Sequence, residues 1–207
     1  MTVPLSGAFN VDNALVALGV AVAVGLDEDE AVAGLGSARP VPGRMELVPT
    51  DQPFAVVVDY AHTPAGLDVA LSTARTLAGP GRVITVFGAG GDRDQGKRPL
   101  MGEAAARWSD VVVLTSDNPR SEDPMAIIGE SLPTLTETGV RFVTEPDRRK
   151  AIALALAEAK SGDIILLAGK GHERVQITPA GEFPFDDHQV ATEELNRLGH
   201  HRGGQRA

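Results

Sequence analysis

The sequence predicts an α/β fold: a mostly parallel sheet with helices on both faces, preceded by a short helical segment. Three observations predict it. From Phe54 onward, short β-branched apolar runs alternate with stretches that read as helices. Those runs are continuously apolar rather than alternating, as in strands covered on both faces. Their spacing also leaves room for a crossover helix after each one, which parallel pairing requires.

The elements follow in order. Asn13 to Val24 is a compact Ala/Val/Leu/Gly helix. Asp27 to Glu30 load the first turn of a second short helix, where carboxylates suit the macrodipole. Residues 39–43 (Arg-Pro-Val-Pro-Gly) form a stiff connector and the one credible domain boundary. Phe54 to Val58 is a buried strand. Thr63-Pro64 supplies an N-cap and N1 pair for a helix reaching about Leu77. Arg82 to Phe87 is a strand, followed by a helix from Pro99 to Trp108. Val111 to Thr115 is a strand, and Asp123-Pro124 opens the next helix. Val140 to Thr144 is a short strand. Pro146 begins a helix ending near Lys160, and Ile164 to Ala168 is the last central strand. Val175 to Phe185, broken at Pro179-Ala180-Gly181, reads as a hairpin. Asp187 to Leu198 is a final helix, with a disordered tail expected over 199–207.

Composition narrows the function. With 43% hydrophobic and 23% charged residues the chain is globular rather than disordered. Its 207 residues allow one large domain, or one domain and part of another. Zero Cys removes disulfide scaffolds, thiolate metal sites and cysteine nucleophiles. A net charge of −9 argues against a nucleic-acid or anionic-membrane binder. The longest apolar run, Ala14 to Leu26, has about 13 residues against the ~20 a membrane span needs, so it reads as a buried helix. No export signal opens the chain, and a soluble, cytoplasmic protein is expected.

Ligands of open α/β sheets sit beyond the carboxyl ends of the strands. Four such ends here carry charged or glycine-rich loops: 59–64 (Asp-Tyr-Ala-His-Thr-Pro), 88–94 (Gly-Ala-Gly-Gly-Asp-Arg-Asp), 116–120 (Ser-Asp-Asn-Pro-Arg) and 169–173 (Gly-Lys-Gly-His-Glu). Residues 91–97 spell G-x-x-x-x-G-K, but Arg98 stands where a P-loop has Ser or Thr, and three charges interrupt the glycines. This is a decoy, and G-x-G-x-x-G fails at Arg93. Arg93 and Arg120 are forks for carboxylates, while Asn118 and Glu173 can hold an ammonium or an amide. That set fits a zwitterionic amino acid. The competing expectation is that both arginines pair with Asp92, Asp94 or Asp117 as structural bridges. For Asn13 the residue-level reading is a helix N-cap, and for His62 a loop-packing residue.

These loops, together with residues 9–14 (Phe-Asn-Val-Asp-Asn-Ala) and 43–46 (Gly-Arg-Met-Glu), resemble the Mur ligases in order and spacing, over about residues 5 to 195. The resemblance is strongest to the family's diaminopimelate-adding branch, which the Asp117-Asn118-Pro119-Arg120 motif marks. It implies a Rossmann-like domain and ATP-dependent addition of meso-diaminopimelate to UDP-N-acetylmuramoyl-L-alanyl-D-glutamate, with Mg²⁺, in cytoplasmic peptidoglycan precursor synthesis. By the same resemblance, Arg93, Asn118, Arg120, Gly169 and Glu173 correspond to diaminopimelate contacts. Asp117 and Pro119 shape that loop. Asn13, Arg44 and Asp59 correspond to nucleotide contacts. No catalytic residue and no metal ligand is carried over.

The departure from the family is large. No phosphate cradle, acidic metal ligands or uridine-binding domain is present in these residues. The expectation is therefore a truncated central ATPase domain (1–43) joined to a complete C-terminal domain (44–198). Alone it should not catalyse, and it should bind the amino acid weakly. A lysine-adding or other Mur-type ligase, a stand-alone amino-acid-binding module and a P-loop NTPase remain as rival readings.

Overall fold

The computed structural model describes residues 2–5 and 7–203. Two helices, α1 (Phe9–Ala23) and α2 (Glu28–Gly36), precede the sheet. The remaining elements are β1 (Glu46–Val48), β2 (Ala55–Asp59), α3 (Pro64–Ala78), β3 (Val83–Phe87), α4 (Lys97–Trp108), β4 (Val111–Leu114), α5 (Pro124–Gly129), α6 (Leu132–Thr138), β5 (Arg141–Thr144), α7 (Arg148–Glu158), β6 (Ile164–Ala168), β7 (Val175–Thr178), β8 (Gly181–Pro184) and α8 (Asp187–Gly203).

Six strands form one sheet in the order β1-β2-β6-β3-β4-β5, and β7 and β8 form a separate hairpin. Only β1 runs antiparallel; the other pairings of the large sheet are parallel. Side chains alternate between two apolar layers, as the pleat demands. Val57, Val112 and Leu166 face α3, α4 and α6, while Val56, Val58, Val113, Ile165 and Leu167 face α7 and α8. The expected helix-covered parallel sheet is therefore present. Its order makes β2, β6, β3 and β4 consecutive neighbours, which sets the four polar loops side by side at one edge.

Several elements differ from expectation for local reasons. Asp147, not Pro146, marks the start of α7, because its carboxylate accepts from the amides of Arg149 (3.0 Å) and Lys150 (3.2 Å). The helix after Asp123 is two helices, separated at Ser131, whose hydroxyl donates to Arg98 O (2.9 Å). β1 was not anticipated. The last helix runs on to Gly203 where a tail was expected from residue 199, and residues 204–207 lie outside the described residues.

The largest correction concerns α1. It starts at Phe9, and of its residues only Ala14 is buried. Leu15, Val16 and Val20 are more than half exposed, so the apolar run is not the buried helix its composition suggests. The connector that follows is pinned to the sheet. Gly43 has φ +69°, and a Cβ there would lie 2.1 Å from His172 N, so only glycine fits. The Met45 amide then donates to Asp59 Oδ2 (2.8 Å), tying the connector to the end of β2.

Candidate amino-acid and nucleotide sites

The four adjacent loops enclose a cavity of about 280 Å³ lined by Tyr60, His62, Gly90, Arg93, Lys97, Asp117, Asn118, Arg120, Gly169 and Glu173. Arg120 occupies left-handed backbone (φ +53°), and its amide donates to Ile177 O (3.0 Å) on β7. Its Nη1 donates to Gly91 O (2.8 Å), which fixes the plane of the guanidinium. Nε and Nη2 make no hydrogen bond to protein among the described residues. Arg93 is exposed and donates only to its neighbour's carbonyl, Asp92 O (3.1 Å).

Neither arginine forms an ion pair among the described residues. The three acids expected as bridge partners are engaged elsewhere. Asp92 accepts from the Ser121 hydroxyl (2.7 Å), Asp94 accepts from the Gly96 amide (2.9 Å), and Asp117 lies 3.7 Å from Lys170 Nζ. Both forks are thus available to a ligand.

The floor of the cavity is a buried polar network. Asn118 Oδ1 accepts from Lys170 Nζ (3.1 Å) and from the Ile177 amide (2.9 Å), so its Nδ2 turns toward Glu173 Oε2 and donates at 2.8 Å. Burial pushes the Glu173 carboxyl up, but the Asn118 hydrogen bond and the Lys170 charge outweigh it and hold Glu173 below the usual range. Asp117 goes the other way: burial dominates the neighbouring Arg148 and Lys170 charges and raises it. Burial lowers the Lys97 ammonium, whose Nζ donates to His62 O (2.8 Å). His62 also bonds Tyr60 O through Nδ1 (2.8 Å) and meets the Tyr60 ring edge-on, so it packs the loop as expected and lines the cavity too.

The glycine loop at 91–97 is no phosphate cradle. The Gly91 amide donates to Asn118 O (2.9 Å), Asp92 N to a Glu122 carboxylate oxygen and Gly96 N to Asp94. Arg98 is fully buried against Glu122 (2.8 Å) and Glu130 (2.7 Å). The amides of both loop glycines are thus committed to protein acceptors rather than to an anion.

The two glycines before Asp92 are constrained differently. A Cβ on Gly91 would lie 1.9 Å from Pro119 O, a backbone atom, whereas on Gly90 it would meet the end of the Arg120 side chain at 2.9 Å. Gly91→Ala is expected to destabilise the chain by about 1–3 kcal/mol, while Gly90→Ala leaves stability within about 0.5 kcal/mol and only displaces Arg120. Urea melts of the two variants check this, and equal losses would contradict it.

A second cavity, about 410 Å³, is lined by Phe9, Asn13, Arg44, Asp59, Ala61, Ala65, Gly66, Val69 and Ala70. The extended loop after β2 serves both cavities, with Asp59 and Ala61 facing this one and Tyr60 and His62 the other. Asp59 is buried, and its two oxygens accept from Met45 N and Ala61 N, each at 2.8 Å. Burial raises its carboxyl despite those bonds. Arg44 lies 4.8 Å from the centre of the Tyr60 ring. Asn13 sits inside α1 and donates to Asn10 Oδ1 (3.1 Å), so it is not the N-cap its residue type suggests.

A family model described as "Mur ligase, glutamate ligase domain" matches residues 43–171. The chain belongs to the Mur ligase family. It is 52% identical over 199 residues to the UDP-N-acetylmuramoyl-L-alanyl-D-glutamate--2,6-diaminopimelate ligase of Solibacter usitatus (strain Ellin6076), covering 96% of this chain and 40% of that relative. It is 50% identical over 192 residues to the protein of the same name from Syntrophomonas wolfei, covering 92% and 39%. A solved structure of such a ligase superposes with a TM-score of 0.74 at 39% identity, over 96% of this chain and 40% of that one. The chain therefore spans about 40% of the length of the relatives it matches.

In this Mur ligase chain the residues expected at the amino-acid site converge, with one exception. Arg93, Asp117, Asn118, Arg120, Gly169 and Glu173 line one cavity, whereas Pro119 packs behind it against Gly91. Asn13, Arg44 and Asp59 line the other. Sequence reasoning missed Lys97 as a lining residue. It also missed the bracing of the 117–120 loop by β7, where Gln176 Nε2 donates to Asp117 O (2.8 Å). No group of three His, Asp or Glu side chains among the described residues is placed to hold a metal ion. No helix among them is long and apolar enough to cross a membrane.

Proposed function

We propose that this chain supplies the amino-acid-binding domain, and part of the nucleotide site, of an ATP-dependent amide-bond-forming ligase. The reaction adds meso-diaminopimelate to UDP-N-acetylmuramoyl-L-alanyl-D-glutamate in cytoplasmic peptidoglycan precursor synthesis. The observation that carries it is the pair of guanidinium forks, Arg93 and Arg120, free of protein carboxylates in the same cavity as Glu173 and Asn118. An amino acid with two carboxylates and an ammonium satisfies that set, whereas lysine leaves one fork unmatched.

The second cavity is assigned to a nucleotide on its apolar wall and on Asn13, Arg44 and Asp59. Asp59 keeps a lone pair on each oxygen beyond the amide it already accepts, enough for ribose hydroxyls. Mg²⁺ is part of the proposed reaction, but the described residues offer no cluster of His, Asp or Glu side chains to hold it. ATP phosphorylates the acceptor's glutamate carboxylate. The amino acid's amine then displaces phosphate, forming the amide.

The test replaces the matched segment of the Solibacter usitatus relative with this chain and assays ATP-dependent ligation. Ligation of meso-diaminopimelate in strong preference to lysine is expected. Equal use of lysine would favour the lysine-adding reading. Tight binding of meso-diaminopimelate by the 207-residue chain alone, without ATP, would favour a stand-alone binding module.

A further inference from the structure

We propose that Lys170 is a positioning residue that builds the ammonium receptor of the amino-acid site, acting through Asn118 and Glu173 rather than by touching the ligand. The inference rests on the reading of that cavity as an amino-acid site. Lys170 is fully buried, and its ammonium faces three groups: Asn118 Oδ1 (3.1 Å), Glu173 Oε2 (3.1 Å) and Asp117 Oδ1 (3.7 Å). A buried ammonium beneath a binding cavity needs such a set of acceptors to remain charged.

The consequence for the ligand lies in which atoms remain free. Lys170 and the Ile177 amide both donate to Asn118 Oδ1, which fixes the amide flip and leaves Nδ2 to donate to Glu173. Asn118 Nδ2 and Lys170 Nζ both donate to Glu173 Oε2, so that oxygen is saturated. Glu173 Oε1 has no hydrogen-bond partner among the described residues and is the acceptor left for a cation. Lys170 also offsets Asp117, whose Oδ1 is buried without a hydrogen-bond partner. Without Lys170, Asp117 would keep the Arg148 charge, but Glu173 would lose a hydrogen bond and a neighbouring cation, both of which hold its carboxyl down.

The first readout needs neither ligand nor substitution. In the 207-residue chain the Lys170 ammonium protons should exchange slowly enough to give a resolved nitrogen-correlated NMR signal, which is lost as Glu173 is protonated. The Glu173 titration, followed by carboxyl-carbon NMR, should then move to higher pH in Lys170→Met. The wild-type chain has no Cys, so Lys170→Cys can be aminoethylated at a single sulfur, which restores an ammonium at similar reach and should restore the titration. In the chimeric ligase, Lys170→Met should raise KM for meso-diaminopimelate about tenfold or more with kcat within about threefold, and leave KM for ATP unchanged. Aminoethylation of the Lys170→Cys chimera should reverse the change.

An ammonium signal indifferent to Glu173, or an unmoved Glu173 titration, would overturn the inference. So would an unchanged KM for meso-diaminopimelate in a chimera where Arg120→Ala does alter it. If neither variant alters it, the amino-acid reading of the cavity is what fails.

Discussion

Arg148→Met is expected to cost the chain about 3–5 kcal/mol of folding stability. Arg148 and Asp187 are both fully buried and paired through two hydrogen bonds, Nε to Oδ1 (2.7 Å) and Nη2 to Oδ2 (2.6 Å). The same guanidinium donates to Ser116 O (3.3 Å) and Ala168 O (2.9 Å). Those carbonyls lie at the ends of β4 and β6, where the 117–120 and 169–173 loops begin, so this one side chain spaces two of the loops that line the proposed amino-acid site. Methionine would fill most of the volume but leave the Asp187 carboxylate buried alone and both carbonyls without a donor. The urea midpoint should fall by roughly 1–2.5 M, taking m at ~2–3 kcal/mol/M. Arg148→Met combined with Asp187→Leu should recover much of the loss, since an apolar pair of similar volume often replaces a buried ion pair without penalty. A loss below about 1 kcal/mol in the single variant would show that the strut is not needed.

What the sequence reveals and what it hides divide along the range of the forces involved. β6 is read residue for residue from Ile164 to Ala168, because a strand buried on both faces writes a continuous apolar run. The site loops are legible for a related reason: charge and glycine immediately after such a run mark a strand end that does not turn back into the core. β1 is hidden because three residues are too few for any periodicity. It exists because the connector delivers Glu46 to Val48 against the free edge of β2. The apolar text of α1 reports a surface that favours cover, not whether cover is present. The burial of Arg148 and Lys170 is hidden because Asp187 and Asn118, which help hold them, lie 39 and 52 residues away in sequence. The local text around Asn13 suggests a cap, but the helix has already begun four residues earlier at Phe9.

The Arg120→Ala chimera is expected to lose about 10- to 100-fold of its preference for meso-diaminopimelate over lysine, the equivalent of one charge-assisted contact. The loss should fall on kcat/KM for diaminopimelate, with that for lysine little changed, because lysine lacks the second carboxylate. Alanine retains the strained backbone at φ +53°, so comparing Arg120→Ala with Arg120→Gly separates the loss of the fork from relief of the turn. Arg120→Lys should recover only part of the preference, since an ammonium keeps the charge but not two parallel donors. Arg93→Ala should cost less. Arg93 is exposed and braced only by the carbonyl of its own neighbour, so part of its contact energy goes into ordering a long side chain. Arg120 has lost that freedom before any ligand arrives, because Gly91 O holds Nη1 while Nε and Nη2 remain open. If the preference survives Arg120→Ala, the second carboxylate is read elsewhere, and the assignment of Arg120 as the specificity fork is wrong.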